Sequence, residues 1–301
     1  MSDTSKENVQ ITPSQVRIVP NFKLAKVMCN LPTEQYNRAV NGVERGIIEK
    51  RNHKKHGEII TSYRITNADG YDRIDPLNEF DRAVLSVCSS EFEYGNSDTT
   101  PAIIFRNLTG RVGKGSNAKP HLNQRDDILT SVMKLMNTLI WIDDSDTNEK
   151  LGYEPTSASE TCSAILPAYF VKKTVNGQDA TVIYFDRESP IMEIAKSRNQ
   201  IIRYDTALLD VPNVQNTYMN ITIKNYLACR VKEIMLHHMT PTITFDDLFA
   251  KVRITDASRK TQMDAREVAK AFFEHLKSIS VLKSLDISKK GNKFYGVTFS
   301  Y

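Results

Sequence analysis

Two stretches of the chain repeat one order of patterns, and that order limits the fold more than any composition figure. Helical spacing of apolar residues runs over Leu77–Glu91, Thr100–Leu108 and Asn123–Leu139. β segments follow at Ile140–Asp143, Ala164–Thr174 and Ala180–Asp186, the last two joined by Asn176-Gly177, a pair suited to a two-residue hairpin turn. The same order returns at Tyr218–His238, Phe245–Val252 and Gln262–Leu276. A hairpin then spans Val281–Ser288 and Lys293–Ser300, about Lys289-Lys290-Gly291-Asn292. Ile191–Arg198 reads as a short helix and Leu208–Asn216 as a connector. No residue-by-residue repeat accompanies the repeated order.

Three helices and a hairpin form the winged-helix plan. The predicted class is therefore α+β, with two winged-helix domains in tandem behind an N-terminal extension. The boundaries read as 1–72, 73–212 and 213–301. Within the extension, residues 1–20 are polar and read as loosely attached. Tyr36, Val40, Val43 and Ile47 predict a helix over 33–52 that stops at Gly57, and Glu58–Thr66 reads as a strand.

Charge separates along the chain. Residues 1–72 carry 11 Lys and Arg against 8 Asp and Glu; residues 73–238 carry 18 against 21; residues 239–301 carry 11 against 7. A polyanion would meet the two ends first. In a helix-turn-helix domain the last helix enters the major groove, and the wing touches phosphate or the minor groove. Ser258, Arg259, Lys260, Thr261 and Gln262 lead into the third C-terminal helix, with Arg266 and Lys270 farther along, read as facing away from Phe272 and Phe273. Arg pairs with guanine and Gln with adenine, while Ser, Thr and Lys grip phosphate. Lys289, Lys290 and Lys293 crowd the wing turn. These ten residues are the candidate duplex-DNA contacts. Arg111, Lys114, Lys119, Asn123, Gln124, Arg125, Lys172 and Lys173 form a second, weaker set in the first domain, where Asp126 and Asp127 oppose phosphate.

Enzymatic patterns fail on spacing. Gly110–Ser116 lacks the four residues a phosphate loop needs between its glycines. The acidic run Asp143–Glu149 lacks the glycine and terminal glutamate of a calcium loop and reads as a solvated loop. His237-His238 and His53/His56 have no ligand partners at metal spacing, and no nucleophile elbow occurs. Cys29, Cys88, Cys162 and Cys229 stand too far apart for a disulfide framework and read as buried thiols. The expectation is a non-enzymatic, cytoplasmic protein without cofactor, metal or membrane.

Leu77–Leu85, Ser131–Met136 and Asn220–Leu227 carry a resemblance over residues 73–301. In these stretches the chain resembles the replication initiators of theta-replicating plasmids, which have tandem winged-helix domains. The resemblance implies binding to repeated origin sequences, opening of an adjacent AT-rich segment and recruitment of host helicase and initiator proteins. It also implies homodimers that repress their own gene and monomers that start replication. A winged-helix transcriptional regulator bound to an operator is the alternative from the same two domains.

Overall fold

The computed structural model describes residues 16–20, 46–53, 55, 57–67, 77–112, 118–154, 162–175, 178–290 and 293–301. Helix α1 (Glu79–Glu93) lies at the centre. Asn78 caps it by accepting from the Phe80 and Asp81 amides, while Asp81 accepts from the Asn78 amide. Every residue from Glu79 to Glu91 is buried, polar ones included, because neighbours cover the helix on all sides.

The short strand β4 (Asp98–Thr99) leads into α2 (Pro101–Thr109), which has Thr100 as its cap and Pro101 in its first turn. Gly110 ends α2 at φ +73°, where a Cβ would lie 2.5 Å from both Asp210 N and Thr206 O. Only glycine fits there. Helix α3 (Leu122–Asn137) follows, and then an insertion of β5 (Thr138–Asp143), α4 (Ser145–Leu151) and β6 (Cys162–Ala164). The hairpin β7 (Ala168–Val175) and β8 (Gln178–Phe185) completes the unit, in a sheet ordered β4-β8-β7.

A second unit repeats this order. It runs α6 (Tyr218–His237), β10 (Thr242–Thr244), α7 (Phe245–Lys251), α8 (Arg259–Ser278), β11 (Ser284–Lys290) and β12 (Lys293–Ser300). Its sheet is ordered β10-β12-β11, so in both units the hairpin's second strand lies in the middle. Between the units come α5 (Pro190–Ser197), β9 (Ile201–Asp205) and a 3-10 turn over Thr206–Leu209.

The N-terminal residues depart from expectation. Val16–Pro20 forms a buried strand, β1, antiparallel to β9, although residues 1–20 read as loosely attached. Gly46–His53 is strand β2 rather than the end of a helix, paired over its whole length with β3 (Gly57–Asn67). Gly57 therefore follows a turn and does not stop a helix. Strand β3 in turn pairs with β5, giving the order β2-β3-β5-β6. The rest of the helix predicted over 33–52 lies outside the described residues.

Two apolar clusters form the core, one under each unit, and they meet at a seam where α1 packs on α6. Phe80 and Tyr218 rings approach to 4.4 Å across it. Arg17 of β1 is fully buried at the seam, donating to Ala83 O at 3.2 Å and Asn225 Oδ1 at 3.3 Å. Burial lowers its pKa. Among the described residues, no helix is long and apolar enough to cross a membrane.

Candidate nucleic-acid interface

Ser258 caps α8, accepting from the Thr261 amide at 3.2 Å and meeting the Thr261 hydroxyl at 2.9 Å. That cap fixes where α8 starts, and it occupies the two hydroxyls expected to grip phosphate. Arg259 and Lys260 follow, exposed and without a hydrogen bond or ion pair to any described residue.

Three other predicted contacts on α8 are used internally. Gln262 donates to Ile254 O at 3.2 Å and Thr255 O at 2.7 Å, holding the turn between α7 and α8, so its amide nitrogen is not presented to adenine. Arg266 lies over the rings of Phe249 at 4.9 Å and Phe245 at 5.8 Å. It does not face away from Phe273 as expected, because seven residues make about two turns and bring both onto one side. Lys270 has an 18% exposed side chain that pairs with Glu267 at 2.6 Å. The outward side of α8 therefore carries Arg259 and Lys260 and then Met263, Asp264 and Glu267. Spacing of i+3, i+4 and i+7 from Lys260 identifies those three from sequence, although none was among the candidates.

In the β11–β12 hairpin, Lys290 pairs with Lys293 and Lys289 with Phe294, after an irregularity between Ser288 and Lys289. The three lysines thus share one hairpin end. Their side chains lie outside the described residues.

The first unit brings its candidates together more closely. Arg125, on the first turn of α3, donates to Thr181 Oγ1 at 3.3 Å, and Thr181 lies directly opposite Lys172 in the β7–β8 ladder. Side chains at paired positions share one sheet face, so Lys172, Thr181 and Arg125 form a basic corner between helix and hairpin. Asn123 and Lys119 are exposed just before it. Thr181, absent from the sequence candidates, is the residue that joins this corner. Lys173 is on the other face of β7, where it bonds the Tyr184 hydroxyl and sits 4.7 Å above its ring.

Two more of this set have internal partners. Arg111 pairs with Asp210 at 3.5 Å. Gln124 accepts from the His121 amide at 2.8 Å and donates to Asn216 O at 2.5 Å. Lys114 lies outside the described residues. Asp126 stays exposed beside Asp127, whose pKa is raised by partial burial and then by Asp126.

The remaining polar groups serve the fold. The acidic run read as a solvated loop is largely helix α4, with Asp144 buried, bonded to Asn148 at 3.0 Å and ion-paired with Arg198. Cys88 and Cys229 are buried, but Cys162 is exposed on β6; Cys29 lies outside the described residues. Among the described residues, no group of three or more His, Cys, Asp or Glu could hold a metal ion.

No protein-family model matches this chain, and no curated protein matches it. Among solved structures, the crystal structure of domains 2 and 3 of RctB is similar to it, covering 93% of this chain and 100% of that one. Identity is 9% and the TM-score 0.36, too low to transfer fold or function.

Proposed function

We propose that this chain is a sequence-specific double-stranded DNA-binding protein. In this reading its two units, 73–212 and 213–301, are winged-helix domains behind an N-terminal extension. The observation that carries the proposal is the repeated order of helix, short strand, two helices and hairpin, with matching sheet orders β4-β8-β7 and β10-β12-β11. In that plan α3 and α8 seek the major groove, and the hairpins touch the backbone beside it. Cations stand where this requires them: Arg259 and Lys260 at the start of α8, and Arg125 with Lys172 where α3 meets its wing. Lys119, Asn123 and the wing lysines Lys289, Lys290 and Lys293 complete the contact set. Ser258, Thr261, Gln262, Arg266, Lys270, Arg111, Gln124 and Lys173 act indirectly, by shaping those surfaces.

Within DNA binding, initiation of replication at origin repeats is the reading drawn from the resemblance to plasmid initiators. It brings with it a non-enzymatic, cytoplasmic role, a homodimer and host replication partners. The test uses duplexes enriched from a random pool by the full chain. A circular DNA lacking its own initiator and carrying those sequences should be maintained only in cells that supply the protein. Repression of an adjacent promoter without maintenance would favour the operator-binding regulator.

A further inference from the structure

The connector between the units is tied down by its neighbours, while two of its three amide side chains are left over. Lys224, buried on α6, donates to Leu209 O at 2.9 Å and to Asn216 Oδ1 at 2.8 Å. Gln124 of α3 holds Asn216 O, Asn220 holds Gln215 O at 2.9 Å, and Arg111 pairs with Asp210. The backbone of residues 209–216 is therefore fixed by both units. Asn213 keeps a left-handed backbone at φ 59°, a conformation Asn tolerates better than most residues. Asn213 and Gln215 are exposed, and neither side chain bonds any described residue.

The location of these two amides matters more than their exposure. At Asn216, whose carbonyl accepts from Gln124, the connector touches the first turn of α3. On either side of that contact, Asn213, Val214, Gln215 and Thr217 border a groove of about 480 Å³ together with Asp264 and Glu267 of α8. The stretch Asn213–Thr217 thus adjoins both helices assigned to major grooves. A duplex whose successive major grooves face one protein presents a minor groove between them.

We infer that Asn213 and Gln215 form a third DNA contact, donating to base edges in that intervening minor groove. This rests on the reading of α3 and α8 as groove-seeking helices. Adenine N3 and thymine O2 are acceptors on the minor-groove floor, and a side-chain amide supplies the matching donor. Asp264 and Glu267 oppose a phosphate in the same groove, so the contact is with bases rather than with the backbone.

The test measures fluorescence anisotropy of the full chain with duplexes enriched from a random pool. Asn213→Gly suits the backbone angle and removes the amide, and Gln215→Ala removes the second. Thermal unfolding of the double variant, expected to match that of the parent, checks that the fold is kept. The double variant should bind roughly 10-fold more weakly, the loss of two modest hydrogen bonds, with its salt dependence unchanged. Exchanging A·T for G·C pairs in the central spacer should weaken the parent and leave the double variant indifferent. Equal affinities, or a parent insensitive to the spacer, would overturn the contact. Loss accompanied by a flatter salt dependence would also overturn it, by placing the amides on phosphates. A pool yielding no enriched duplex would overturn DNA binding itself.

Discussion

Arg259 and Arg266 lie two turns apart along one line of α8, yet Arg259 is exposed and Arg266 only partly so, because Arg266 lies over Phe245 and Phe249 of α7. Their replacements should separate accordingly. Arg266→Ala should cost about 1–2 kcal/mol in urea unfolding through lost ring contacts and leave the salt dependence of DNA binding unchanged. Arg259→Ala should spare stability and reduce that dependence by about one phosphate contact. Asp126 offers the reverse case. Asp126→Asn should tighten duplex binding by a factor of roughly 2 to 5 at low salt, as a carboxylate beside the basic corner disappears. Lys224 provides a pH signature, since burial lowers its pKa to about 8 against 10.5 for an ordinary lysine. Between those values the unfolded chain binds more protons than the folded one, so this group's contribution to stability rises with pH. Urea unfolding at pH 7.5 and 9.5 should show the parent gaining on Lys224→Met at the higher pH; parallel behaviour would contradict the burial argument.

At the scale of elements, long periodic segments were legible and short ones were not. Helix α6, predicted as Tyr218–His238, spans Tyr218–His237, and α7 and both hairpins fall within a few residues of expectation. The segment Ala164–Thr174 breaks into β6 and β7 around Pro167, which cannot donate to a ladder. Strands β4 and β10, of two and three residues, are too short to show a period. Each is instead recruited by the hairpin strand it pairs with. Strand β2 shows tertiary pairing overriding local pattern: apolar spacing read as helical ends in a strand because β3 supplies a complete ladder. The candidate interface was legible as charge but not as partners: nothing in sequence marks Gln262 as already bonded, and only the seven-residue spacing to Phe273 signals that Arg266 lies on the packed side. Gly110 carries the sharpest element-level prediction. Gly110→Ala should destabilise by about 2 kcal/mol or more, read by thermal unfolding, since both its left-handed backbone and the 2.5 Å approach to Asp210 exclude a side chain.

For the whole molecule the seam governs behaviour. Ile221 of α6 belongs to the first unit's apolar cluster, Val19 of β1 joins the second's, and Arg17 bonds α1 and α6 together. A chain so joined should unfold as one body. Fluorescence of Trp141, the single tryptophan, reports the first unit, and circular dichroism reports both. Their unfolding curves should coincide. A joined body also sets α3 and α8 on one frame, and that places the proposal that both units grip one duplex within reach of a single titration. Affinity for an enriched duplex is measured from low to high salt for the parent, for Lys172→Ala in the first unit and for Arg259→Ala with Lys260→Ala in the second. A steep linear fall of log affinity with log salt is expected for the parent, flattened by about one contact in the first variant and about two in the second. Slopes unchanged in either variant would contradict a two-unit grip.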